Sequence, residues 1–253
     1  MRARLAAFAL LLLCVVSPVH AGRAGDDAWI ATWATASKAK TLFDRDLPVL
    51  ADVTLRQVVR VSLGGRWVRV WLTNEEGTKP LRIGSATVGQ RAGGSEVLAG
   101  SGRRLTFGGA ASINIAPGTR VVSDPVRLHV RDLSDLVIST YLPDDVTASG
   151  SPVTYHVRSL ATSYLADGDQ TTRASLVAPR TETSWFFIAG VDVFDGRPAP
   201  VIGAIGDSIT DGDQQGFPNE PVDLNARYTD FLAQRLLAAD SARGSAVGGA
   251  RPW

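Results

Sequence analysis

The sequence predicts a β-rich domain, sandwich- or jelly-roll-like, followed by the first strand–turn–helix unit of an α/β domain. Three observations carry this expectation. Between residues 28 and 197, runs of alternating apolar and polar residues follow one another at short spacing. Turn signals such as Pro117-Gly118, Asp124-Pro125, Pro143-Asp144 and Asp167-Gly168 punctuate them, and no long helical period competes. After "DGRPAP" at 195–200 the pattern changes to a continuous apolar run, a glycine turn and apolar residues at helical spacing.

The first element stands outside any fold. Residues 1–21 combine Arg2 and Arg4, an apolar run from Leu5 to Val16, and "SPVHA" with Val19 and Ala21 at the −3 and −1 places. This is the pattern of a cleaved secretory signal peptide, with an apolar part too short for a finished membrane anchor. Cys14 raises lipidation as an alternative, but "LLLC" lacks the small residue expected before a lipidated cysteine. The expected destination is extracellular or periplasmic. Cleavage removes two of the 26 Lys and Arg residues, leaving 24 against 25 acids, so the net charge moves from +1 to −1. Such a near-neutral chain carries no electrostatic footprint for nucleic acid or an anionic membrane. Cys14 is the single cysteine, so the mature chain has neither a disulfide framework nor a cysteine–zinc site. Core burial must stabilise it, and 45% hydrophobic residues supply the material.

Residues 28–197 make up the β-rich domain. In "VTLRQVVRVSLGGRWVRVWLTN", Val53, Leu55, Val59, Val61 and Leu63 share one face, while Thr54, Arg56, Arg60 and Ser62 lie mainly on the other. Gly64-Gly65 then reads as the two-residue turn of a hairpin. On the return strand Val68, Val70 and Leu72 oppose Trp67, Arg69 and Trp71. Further strands are expected in "PLRIGSATVG", "RRLTFGG", "SINIAPG", "PVRLHV", "DLVISTYLP", "VTYHV" and "SWFFIAGVDVF", and an exposed loop over 170–184.

Residues 198–253 form the second unit. "VIGAI" at 201–205 has the composition of a parallel strand buried on both faces. Leu224, Tyr228, Phe231, Leu232 and Leu236 then recur with helical period, and Asp223 is placed to act as N-cap. Between them, "GDSITDG" puts Ser208 at the carboxyl edge of the expected sheet, where open α/β folds hold ligands. A hydroxyl there becomes nucleophilic when a base takes its proton. Without one, Asp207 and Ser208 simply satisfy a polar turn. Phosphate-cradling loops need Gly-x-x-x-x-Gly-Lys-Ser/Thr or Gly-x-Gly-x-x-Gly, and neither is present; nor is the Gly-x-Ser-x-Gly elbow.

"AIGDSITDG" and the downstream "RYTDFLAQRLL" resemble the first sequence block and first helix of the SGNH/GDSL hydrolases. Upstream, "WIATWATA", "TLRQVVRVSLGG", "LTNEEGTKPLRIG", "LTFGG", "IAPGTRVVSDPV" and "DLVISTYLP" are similar to the β-rich N-terminal portion of secreted, carbohydrate-esterase-like members. The resemblance implies a flavodoxin-like α/β hydrolase domain and a serine esterase acting through an acyl-serine intermediate. An acylated carbohydrate or another small ester would be the substrate, with no metal or cofactor. Ser208 would be the nucleophile and, through its backbone N–H, one oxyanion donor; Asp207 would shape the turn and stay outside the triad.

The rest of that family's site cannot be placed. Its oxyanion glycine and asparagine and its Asp-x-x-His have no counterpart, because His129 and His156 precede Ser208 and neither follows an aspartate by three residues. Both read as polar-face strand residues. "SARGSAVGGARPW" holds no apolar run long enough for a second strand, and Gly248 or Gly249 could only imitate the glycine block. The expectation is therefore a C-terminally truncated, inactive product, from a frameshift or early stop near residue 244. A non-catalytic β-sandwich that binds carbohydrate or protein, with a vestigial hydrolase tail, is the alternative; Trp67, Arg69 and Trp71 would offer a sugar-stacking face, although packing between sheets suits them better.

Overall fold

The computed structural model describes residues 29–42, 44–196, 198–212 and 221–246. The expected signal peptide, with Cys14, and the Gly248–Gly249 pair lie outside the described residues. Among those described, no helix is long and apolar enough to cross a membrane.

The strands are β1 (Ile30–Ala34), β2 (Val53–Val61), β3 (Gly65–Thr73), β4 (Leu81–Ile83), β5 (Ser85–Gly93), β6 (Glu96–Val97), β7 (Arg103–Arg104) and β8 (Ile113–Ile115). They continue as β9 (Arg120–Val122), β10 (Val126–Val130), β11 (Ser134–Leu142), β12 (Tyr155–His156), β13 (Ser163–Asp167), β14 (Arg180–Glu182), β15 (Trp185–Phe186) and β16 (Ile188–Phe194). Two helices follow, α1 (Ser208–Asp211) and α2 (Tyr228–Ala246). One sheet runs β1-β16-β3-β10 with β9 also on β3. The other runs β14-β13-β2-β11-β5-β6 with β7 on β5, and two-stranded ribbons β12-β15 and β4-β8 complete the set. The result is a sandwich-like, wholly antiparallel arrangement.

Its core comes from the inward faces of both sheets. Val68, Val70 and Leu72 of β3 and Val191 and Val193 of β16 meet Leu55, Val59, Val61, Leu136 and Ile138 of the opposite sheet, all at most 1% exposed. On β3 the alternation is as expected, with Trp67, Arg69 and Trp71 on the outer face. The Arg69 guanidinium lies between the Trp29 and Trp71 rings, 4.6 and 5.6 Å from their centroids. Arg69 Nε and Trp71 Nε1 both donate to Asp192 at 2.8 Å. The polar edges of this aromatic row are thus used up within the sheet, and Trp67 is its open member. Ile138, at the middle of β11, sets the scale for core packing: Ile138→Val is expected to cost about 0.5–1.5 kcal/mol in chemical unfolding.

Four expectations within this domain are corrected. The first concerns the hairpin at Gly64-Gly65. β2 and β3 belong to different sheets, so residues 62–64 carry the chain across the sandwich. Neither glycine has positive φ. Gly64 is needed for room: a Cβ there would overlap the Val130 carbonyl oxygen and come within 2.8 Å of Asp132 N. The second is the polar face of β2. The strand is buried on both sides, Thr54, Arg56 and Gln57 included, because it sits between β13 and β11 and loop residues 168–174 close over it. The third is "SWFFIAGVDVF", which is two strands. Phe187, at φ 57°, turns the chain from the β12-β15 ribbon into the first sheet. The fourth is the expected loop over 170–184, within which Arg180–Glu182 forms the edge strand β14.

The predicted α/β unit is overturned. "VIGAI" is not a strand; residues 201–206 carry no regular structure and are exposed, with Ile205 fully so. A buried parallel strand needs neighbours on both edges to take its N–H and C=O groups, and among the described residues every strand pairing is antiparallel and none includes 201–205. The helix forms, but its expected inward stripe faces out: Phe231 is 51% exposed, and Tyr228, Leu232 and Leu236 are exposed with it. Asp223 is not its N-cap. Asp223 and Asn225 have φ of 60° and 49°, which delays the helix to Tyr228. Arg227 takes the capping place, with its N–H donating to Asp230 Oδ2 at 3.0 Å.

Candidate functional site

The Ser208 turn is built from four local decisions. Gly206 has no room for a side chain, since a Cβ would come 2.7 Å from Thr210 Cβ. Asp207, with extended backbone, caps α1 by accepting from Ile209 N at 2.9 Å. Ser208 is the first helical residue and is exposed. Gly212, at φ 79°, closes the turn in the left-handed conformation, its N–H donating to Ile209 O at 3.2 Å. The Asp207 carboxylate is thereby turned back into the backbone.

Asp211, one turn after Ser208, ties this element to the sandwich. Its Oδ2 accepts from His156 Nε2 at 3.0 Å. Its Oδ1 lies 3.2 Å from Arg227 Nη2, and its carbonyl accepts from Arg227 Nε at 2.7 Å. Arg227 Nη2 also donates to Ser159 O at 2.6 Å, and its guanidinium stands 5.7 Å over the Trp185 ring. Burial by itself would raise the Asp211 carboxyl; the hydrogen bond and charge of His156, with the charge of Arg227, outweigh it and hold the group below the ordinary carboxylate range. A second tie lies at Asp223, which accepts from Thr162 N at 2.8 Å and Thr162 Oγ1 at 2.6 Å. Asp223 N in turn donates to Leu160 O at 2.9 Å.

His156 sits on β12 opposite Trp185 of β15, ring centroids 5.6 Å apart. Its Nδ1 faces Ala36 O at 2.7 Å, so both ring nitrogens are committed. The fold therefore brings His156 to the Ser208 element by way of Asp211, without making it a base for the serine. His129 is exposed on β10, where its carbonyl accepts from Gln90. Among the described residues, no hydrogen bond joins Ser208 Oγ to a side chain.

The sequence reading missed Asp211 and Arg227. The signal available was their spacing: Asp211 lies three residues after Ser208, on the same side of a helical turn. Their partners lie 55 and 16 residues away from Asp211 in the chain, which no local pattern conveys. Compared with known proteins, the chain matches no family model and no curated sequence.

Proposed function

We propose that this chain carries the nucleophile of a secreted serine ester hydrolase of SGNH/GDSL type, acting on an acylated carbohydrate or another small ester. The observation that carries the reading is Ser208 itself, an exposed hydroxyl opening a tightly capped turn whose acidic neighbour, Asp207, is spent on the cap. The quoted resemblance of "AIGDSITDG" supplies the reaction class. Ser208 Oγ attacks the acyl carbonyl as a base takes its proton; the sugar alcohol leaves with a proton, and water then cleaves the acyl-serine to acid and free serine.

The base is the missing participant. His156 is held on both nitrogens and His129 stands apart on β10, so neither serves as the base in this reading. The resemblance puts the base in an Asp-x-x-His pair C-terminal to the described residues.

Hydrolysis of p-nitrophenyl acetate by this chain is expected to match that of Ser208→Ala. A product carrying the Asp-x-x-His pair should turn the ester over, and Ser208→Ala should reduce turnover by at least about 10³-fold. Serine-dependent turnover by the present chain would overturn the external base. No serine-dependent turnover in the extended product would overturn the hydrolase reading. Glycan binding that survives Ser208→Ala in such an inactive product would identify a binding module instead.

A further inference from the structure

The contacts of His156 have a protonation requirement. Ala36 O is a carbonyl and can only accept. Asp211, held ionised beside Arg227, can only accept as well. A neutral imidazole has one N–H and cannot serve both; the imidazolium has two and serves both. We infer that His156 is a proton-operated clasp, which seats the Ser208 turn on the sandwich when its ring is protonated and releases it when the ring is neutral.

The groups around the ring support this assignment. From α1 it faces Asp211, and from the start of α2 Arg227 occupies the other oxygen of the same carboxylate. On β15 it meets the uncharged Trp185. In the segment that supplies Ala36, Lys38 is paired with Asp44 at 2.7 Å. Arg158 lies two residues along its own loop, and Asp223 is already bonded to Thr162. Asp211 is thus the carboxylate bonded to the ring, and Ala36 O its second acceptor.

The other ties are polar as well, the Arg227 bridge from Asp211 to Ser159 O and the Asp223–Thr162 pair. Residues 201–209 are exposed and α1 buries no residue, so the polar ties through Asp211 replace the apolar packing that usually seats an element. The sign follows from the two partners. Asp211, with its carboxyl lowered, stays ionised until the pH falls below the ordinary carboxylate range, and the tie weakens only as it protonates there. A neutral His156 ring has one N–H to give, so either Ala36 O or Asp211 Oδ2 loses its bond to the ring. Seating therefore needs an ionised Asp211 and a protonated His156 together. Its bearing on ester hydrolysis rests on the function proposed above, since Ser208 is one helical turn from the clasped residue.

The test reads seating without reading turnover. Amide hydrogen exchange of Asp211 and Gly212, whose N–H groups bond to Asp207 O and Ile209 O, is followed across pH in the full chain after correction for intrinsic rates. Protection is expected to fall about 10- to 100-fold as the His156 ring titrates, with the ring protonation read by side-chain nitrogen NMR. Asp211→Asn is the decisive variant. Its oxygen still accepts from Arg227, while its amide can donate to the Nε2 of a neutral histidine, so protection should persist above the His156 titration. His156→Phe should show low protection at every pH. Equal pH profiles for the wild type and Asp211→Asn, or a ring bearing a single proton in the protected state, would overturn the clasp. A hydrolase reading that failed would leave these exchange profiles untouched.

Discussion

Replacing Arg56 with methionine is expected to cost about 3–5 kcal/mol of folding stability. Arg56 is completely buried in the middle of β2, and its guanidinium donates to Ser139 Oγ and to the carbonyls of Ser95, Ala174, Gln170 and Arg173, at 2.7–3.2 Å. Burial lowers its pKa to about 10, opposed by the charge of Glu96, so the group remains charged at neutral pH. Methionine keeps the apolar stem but strands several carbonyls that the closed loop keeps from water. The loss should appear as a lower urea midpoint with an unchanged slope. Arg56→Lys should recover part of it, since a single ammonium cannot reproduce the planar fork. A change below about 1 kcal/mol would mean that water reaches the loop carbonyls once the arginine is gone.

The second large effect is expected at Gly64. A side chain there meets backbone on three sides: the Val130 carbonyl oxygen, Arg131 C at 2.7 Å and Asp132 N at 2.8 Å. Gly64 N also donates to Asp132 Oδ1 at 2.6 Å, so the crossing between sheets and the turn after β10 are locked together. Gly64→Val must push one of them away, at about 3 kcal/mol or more. For a chain of this size that lowers the unfolding temperature by about 6–12 °C. Gly203→Ala is the control, because nothing lies within 4 Å of a Cβ there and its φ is not in the left-handed region. It should leave the temperature within about a degree or two. A similar shift for both variants would remove the steric explanation.

Both sites mark the limit of what local pattern conveys. Arg56 reads in the sequence as a solvent-side residue of an alternating strand. It is buried because β2 ends up central, with loop residues 168–174 folded over its second face. Gly64-Gly65 reads as a hairpin because glycine pairs commonly make one, yet the chain uses the absent side chain to cross between sheets. Asp223 illustrates the same limit at a helix end. Its carboxylate was available for a cap, but Thr162 offers two donors in a fixed position, and the left-handed backbone at Asp223 and Asn225 moves the helix start to Tyr228.

At the candidate site, the turn itself was legible: a glycine, a capping acid, an exposed serine and a second glycine are local chemistry within seven residues. The seating of that turn was not. His156, Asp211 and Arg227 carry no shared motif, and only the fold brings them into one hydrogen-bonded group.

By itself, the sequence determined that residues 28–197 are rich in short strands, which face of β3 points inward, and that "GDSITDG" at 206–212 makes a polar turn bounded by glycines. Each of these follows from side-chain period or backbone preference over a few residues. Tertiary structure decided which strands are neighbours, that β2 is buried on both sides, and that "VIGAI" stays irregular and exposed instead of joining a sheet. It also placed an aspartate of α1 on a histidine of β12. The physical reason is the same in every case: hydrogen-bond partners and burial are supplied by segments far along the chain, and no residue carries a record of which distant groups will meet it.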